Sequence, residues 1–98
     1  MDRNGYNDSI MDTVRGVCFA CHWEGETARH EIFYGTANRR NSKKYGTWVN
    51  LCPVCHDQVH LKPDGGEMDR YLKHEAYKQF CKIHPRYEFY KVFGRAYD

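Results

Sequence analysis

The sequence predicts a small α+β domain: a zinc-binding strand–strand–helix core with helices at its C-terminal end. Three observations predict it. Two Cys-x-x-Cys pairs, Cys18/Cys21 and Cys52/Cys55, stand in a chain of 98 residues. Two short β-prone runs, "TARHEIFYG" and "TWVNLC", flank a polar, basic stretch. Met68, Leu72, Ala76 and Phe80 then recur every four residues, the period of a helix.

Bulk composition bounds the answer. A chain of this length forms one domain with a modest core, so a staple such as a metal is expected. Lys and Arg number 15 against 13 Asp and Glu, a formal charge of +2, which does not by itself demand nucleic acid. Eight tyrosines among 15 aromatics exclude a disordered chain. No apolar run approaches the roughly 20 residues of a membrane span, and "MDRNGYNDSIMDTVRG" is too polar for a secretory leader. A reducing cytoplasm is expected. In that compartment paired Cys-x-x-Cys reads as metal binding before disulfide.

The elements follow in order. Residues 1–16 are expected to be a flexible N-terminal tail, and 17–98 a single domain. "VCFACHWEG" reads as a zinc knuckle that turns at Gly25. A first strand is predicted over 27–35, a basic loop over 36–46 and a second strand over 47–52. Pro53 suits the first turn of a short helix, "PVCHDQVHL". "KPDGG" breaks it. A longer helix is predicted from Glu67 to His84, with Tyr71 and Ile83 flanking its apolar face, and Pro85 ends it. A last short helix over 86–94 presents Phe89, Val92 and Phe93 and stops at Gly94. The helical tail thus spans 67–94.

The four paired thiols, Cys18, Cys21, Cys52 and Cys55, match one tetrahedral structural Zn²⁺. Cys-x-x-Cys-His occurs twice, the pattern of c-type haem attachment. No export signal accompanies it, and methionine ligands are poorly placed, so haem is set aside. His56 and His60 lie at i and i+4 of the short helix, on one face, where they can grip a second metal ion. His30 and Glu31 are strand neighbours, so one is expected to face that helix and the other to point away. The fifth cysteine, Cys81, reads as a small, partly buried apolar residue.

"CFAC", "RHEIFYG" and "NLCPVCHDQVH", with the two strands and helix they imply, resemble the HNH family of nucleases, also called His-Me finger or ββα-metal enzymes. The longer run from "RHEIFYG" through "NLCPVCHDQVH" to "FGRAY" is similar to small HNH-like proteins of bacteriophages. The likeness covers roughly residues 17–97. It implies a treble-clef-like, ββα-metal zinc-binding core and a metal-dependent DNA endonuclease, a phosphodiester hydrolase. One divalent ion, Mg²⁺ or Mn²⁺ or another, would stabilise charge on the scissile phosphate while a strand residue acts as general base.

Carried over residue by residue, "HEI" places His30 at the metal-ligand position, Glu31 at the base position and Ile32 at the aliphatic one. A shift of one residue instead makes His30 the base. His56 matches the ligand behind the second knuckle, and His60 a further ligand of some branches. Two positions depart from the family. Glu31 stands where a histidine is usual, and Thr47 stands where an Asn is usual. These departures sustain a second reading, a catalytically weak or inactive zinc-stabilised module that binds nucleic acid or a protein, including an inhibitor of a host system.

"NRRNSKK" packs Arg39, Arg40, Lys43 and Lys44 between the strands. These are the candidate DNA-binding residues. They suit the phosphate backbone, with low sequence specificity. Trp48 is expected to pack rather than stack on bases. A protein partner or homodimer is compatible with so small a nuclease. The expected location is the cytoplasm, that of the host if the chain is phage-encoded.

Overall fold

A computed structural model describes residues 4–61 and 66–95. The order is β1 (Ala28–Glu31), α1 (Thr36–Tyr45), β2 (Trp48–Leu51), α2 (Pro53–Leu61), α3 (Glu67–Ile83) and α4 (Arg86–Phe93). The fold is small α+β, as the sequence predicts. The helix break predicted over 62–66 lies, Gly66 apart, outside the described residues, as do residues 1–3 of the predicted tail and 96–98 of the predicted domain. Among the described residues no helix is long and apolar enough to cross a membrane.

The two strands form an antiparallel hairpin. Opposed pairs are Ala28 and Leu51, Arg29 and Asn50, His30 and Val49, Glu31 and Trp48. Directly opposed residues share a face of such a pair. One face therefore carries His30, Val49 and Leu51, all buried. The other carries Arg29, Glu31, Trp48 and Asn50. The first face packs on α2. Behind it lies an aromatic core of Phe33, Phe80, Phe89 and Phe93, where Phe33 meets Phe93 at 4.4 Å and Phe89 meets Phe93 at 4.8 Å between ring centroids. Leu72 and Ala76 of α3 are buried as their spacing predicts. Tyr71 and Ile83 are not: both are exposed, lying off the stripe that Leu72, Ala76 and Phe80 define.

Three sequence expectations are corrected. Residues 36–46 are not a loop: α1 occupies them. This helix has no apolar stripe to betray it. The residue it buries is Ser42, whose hydroxyl donates to the Phe33 carbonyl at 2.7 Å and accepts from the Phe33 amide at 3.1 Å. Lys43 and Lys44 in its last turn complement the helix dipole. Gly46 closes it at φ 73°, in the left-handed region.

The first strand is also shorter than 27–35. It ends at Glu31, and Ile32 and Phe33 turn into the core. Nor do residues 4–16 behave as a tail. The Asn7 amide donates to the Lys43 carbonyl at 2.9 Å and the Ile10 amide to the Gly46 carbonyl at 2.9 Å. The Ser9 hydroxyl donates to the Trp48 carbonyl at 2.6 Å, and Trp48 Nε1 donates to the Asn7 carbonyl at 2.9 Å. Met11 is buried. The strap runs so close to Gly46 that any Cβ there would collide with the Asp8 carbonyl.

Candidate metal centres

The first knuckle is a miniature hairpin. Val17 and Glu24 form an isolated antiparallel bridge, the Cys18 amide donates to the Trp23 carbonyl at 2.9 Å, and the His22 amide returns to the Cys18 carbonyl at 2.9 Å. His22 makes the tight turn at φ 68°. The Phe19 amide ties the knuckle to the Asn50 carbonyl of β2 at 2.8 Å. The second pair straddles the start of α2. Cys52 follows β2 directly, and Cys55 sits in the first turn of α2 with its amide 3.4 Å from the Cys52 sulphur.

These two supports bring all four sulphurs within 4.8 Å of one another. Cys21 and Cys52 stand 3.7 Å apart. Zinc–sulphur bonds of about 2.3 Å in a tetrahedron put sulphurs about 3.8 Å apart. The cluster therefore fits a zinc ion, and the four residues are those the spacing selected. Its electrostatics fit too. Burial opposes ionisation of Cys18, but the amides of Cys52, Cys21 and Ala20 overcome it and bring the thiol down to about 6. Burial and its sulphur neighbours push the Cys55 thiol up. A dication resolves that conflict by accepting all four as thiolates.

The second centre lies on the buried face of the hairpin. His30 of β1 meets His56 and His60 of α2, with ring centroids 5.4 and 5.8 Å away. His56 Nε2 and His60 Nε2 are 3.1 Å apart. One ring nitrogen from each of the three lies within 4.8 Å of the other two. His30 is 3% exposed, and its Nε2 is buried with no hydrogen-bond partner. A buried imidazole with an unpartnered nitrogen, beside two other imidazoles, makes this trio a candidate metal site. Exposure rises from His30 through His56 to His60, so the centre opens to solvent on the α2 side.

His30 and His56 are held toward their neutral, ligating forms. Burial first, then the charges of His56, His60, Lys73 and Arg39, brings the pKa of His30 down to about 3. Burial and His60 lower that of His56, against Asp57 and Glu31, which raise it. An all-imidazole set suits Zn²⁺, Co²⁺ or Ni²⁺ better than Mg²⁺, which prefers oxygen.

Glu31 leaves the strand beside this centre. Its Oε1 accepts a 2.8 Å hydrogen bond from the Tyr6 hydroxyl, and its charge still reaches His56. Burial and then this bond raise the Tyr6 pKa to about 12, so the phenol remains a donor. Thr47 is fully buried, with its hydroxyl unpartnered, while its carbonyl accepts from Ile32 at 3.0 Å. It thus anchors the chain behind His30 and Glu31 through its backbone alone. On the other side stands a group that the sequence reading left out. Buried Asp69 accepts from the Tyr34 hydroxyl at 3.0 Å and pairs with Lys73 at 3.0 Å. Its legible signal was the i, i+4 spacing of Asp69 and Lys73.

The basic residues divide. Arg39, Arg40 and Lys43 line one open groove at α1, whereas Lys44 turns toward the Tyr45 ring, 5.6 Å from its centroid. Comparison with models of protein families, with curated proteins and with solved structures finds no match for this chain.

Proposed function

We propose that the chain is a metal-dependent DNA endonuclease of the HNH type, with a ββα-metal, treble-clef-like core stapled by a Cys₄ zinc. The observation that carries this reading is the orphaned Nε2 of His30 among His56 and His60. Packing alone gives no reason to gather three imidazoles, one of them buried without a hydrogen bond. Three protein ligands leave positions open, as metal sites that perform chemistry require.

In this reading His30, His56 and His60 hold the divalent ion, which supplies Lewis-acid stabilisation of charge on a phosphodiester. His30 is then a ligand, and its lone pair is not available for proton abstraction. Glu31, next to His30 but on the opposite face of β1, is kept as the proton acceptor for the attacking water because the family resemblance places the base there and its charge reaches His56. The Tyr6 hydroxyl donates to Oε1 and orients the carboxylate. Arg39, Arg40 and Lys43 bind flanking phosphates.

The second reading, a binding module that does not cut, draws on the two departures from the family. Glu31 is a weaker base than histidine, and Thr47 offers no side-chain bond to the segment bearing it. Supercoiled plasmid separates the two. Zinc-loaded protein is expected to nick it with added Mn²⁺, Co²⁺ or Ni²⁺, and more slowly with Mg²⁺. Glu31→Gln should reduce the rate at least about hundredfold, within the range for general-base catalysis. Folded protein that leaves the plasmid intact under every ion would decide for the binding module.

A further inference from the structure

The hairpin face turned away from the histidines holds a second concentration of chemistry. Arg29, Trp48 and Asn50 of that face, Tyr6 and Arg15 of the strap, and Lys43 of α1 line a cleft of about 730 Å³. Among the described residues no carboxylate lines it. The Arg29 guanidinium lies over two rings, 4.5 Å from the Tyr6 centroid and 4.8 Å from that of Trp48. The Lys43 ammonium lies 4.9 Å from the Tyr6 centroid.

Both rings are themselves fixed. Tyr6 is held by its bond to Glu31, and Trp48 by its bond to the Asn7 carbonyl. They meet edge to face at 5.6 Å. A guanidinium stacked on fixed rings is already ordered, so it loses little freedom on binding an oxyanion. Lys43 also lines the neighbouring groove of Arg39 and Arg40, so the two recesses adjoin. Five cations thus follow one path.

We propose that the Arg15–Arg29–Lys43 cleft is a phosphate-binding subsite for an unpaired nucleotide unit, either a stretch of single-stranded nucleic acid or a free nucleotide. Cations interleaved with aromatic rings are the pairing that single strands use, phosphate on one and base on the other. A recess of this volume accepts one nucleotide, whereas a rigid duplex would meet only its rim. The subsite requires binding and not cutting, so it stands apart from the cleavage reading.

The test is fluorescence anisotropy on zinc-loaded protein with no second metal added. The probes are a labelled single-stranded 12-mer, its duplex and thymidine 5′-monophosphate as competitor. Arg15→Gln, Lys43→Gln and Arg29→Gln are each expected to weaken binding of the single strand about fivefold to tenfold. The slope of log affinity against log salt should become shallower by about 0.7 for each phosphate left without its cation. Lys78→Gln, which lines neither recess, should change nothing. Competition by micromolar mononucleotide would assign the subsite to free nucleotides; preference for the 12-mer would assign it to strands. Arg15 is exposed, so its variant carries the test even if Arg29→Gln loosens the strap. Unchanged affinity in Arg15→Gln and Lys43→Gln, an equal loss in Lys78→Gln, or tighter binding of duplex would overturn the proposal. Failure to nick plasmid would leave these outcomes unaffected.

Discussion

The two ligand clusters are built on the same helix and differ in kind. Cys52 and Cys55 bracket the start of α2, and His56 and His60 occupy its following turns. The cysteine cluster is closed: four soft donors from two tight turns converge, three of them buried. The histidine cluster is open: three borderline donors converge, graded from buried to exposed. Closure with four protein ligands suits a staple, and three ligands with a solvent side suit exchange and chemistry. A single helix can serve both because its first turn belongs to the knuckle and its exposed flank to the hairpin.

The largest expected effect comes from breaking the closed cluster. Cys52→Ser, or removal of zinc by a strong chelator, should abolish cooperative unfolding at 25 °C. Structural zinc contributes on the order of 10 kcal/mol in small domains, comparable to the whole stability of a domain of this size. Circular dichroism and one-dimensional NMR would read it. A zinc-free chain with an unchanged unfolding transition would make the cluster ornamental. Breaking the open cluster should do the reverse. His56→Ala should lower plasmid nicking at least about hundredfold and shift stability by less than about 1 kcal/mol, because His56 is only half-buried. A variant that lost fold and activity together would erase the distinction.

A smaller effect concerns the anchoring of the histidine face. Ser42→Ala strips the hydroxyl from two buried backbone groups of Phe33, two residues after Glu31. The expected cost is about 2 kcal/mol by urea denaturation. A neutral result would mean that the turn after β1 holds itself.

That serine also shows why part of the fold was hidden. The knuckles, α2 with its bounds, and the Leu72–Ala76–Phe80 stripe were legible because thiol spacing, proline and apolar period are local signals. Helix α1 was not, since the residue it buries fully is a serine and it carries no apolar stripe, only Tyr45 of its last turn packing on the core. The strap was not, since its tethers are backbone hydrogen bonds to residues more than 30 positions away. Without the strap Tyr6 could not be seen as the partner of Glu31, nor Arg29 as stacked between two rings. The four cysteines and the His56–His60 pair were legible from spacing, whereas His30 entered only through the family resemblance; the opposite orientations of His30 and Glu31 followed from strand alternation.

The smallest effect is a matter of pH. The pKa of His30 falls from 6.5 unfolded to about 3 folded, burial leading. Between those values the unfolded chain binds a proton that the native one refuses. Stability is therefore whole above 6.5 and declines as pH falls toward 3, by up to about 1.4 kcal/mol per pH unit. His30→Leu removes this linkage. Between about pH 6 and 5 the wild type should lose about 1 kcal/mol more than the variant, the zinc cluster being common to both. Parallel losses would mean that His30 takes up its proton in the folded protein.

The account rests most directly on there being two centres of different character, and counting metals tests that. Protein would be loaded with Zn²⁺, dialysed against a weak chelator and measured by inductively coupled plasma mass spectrometry, then titrated with Co²⁺ by absorption and calorimetry. One zinc per chain should survive dialysis, and one further ion should bind reversibly. His56→Ala should abolish the second and leave the first. A single metal per chain in the wild type, or loss of the retained zinc in His56→Ala, would contradict the account.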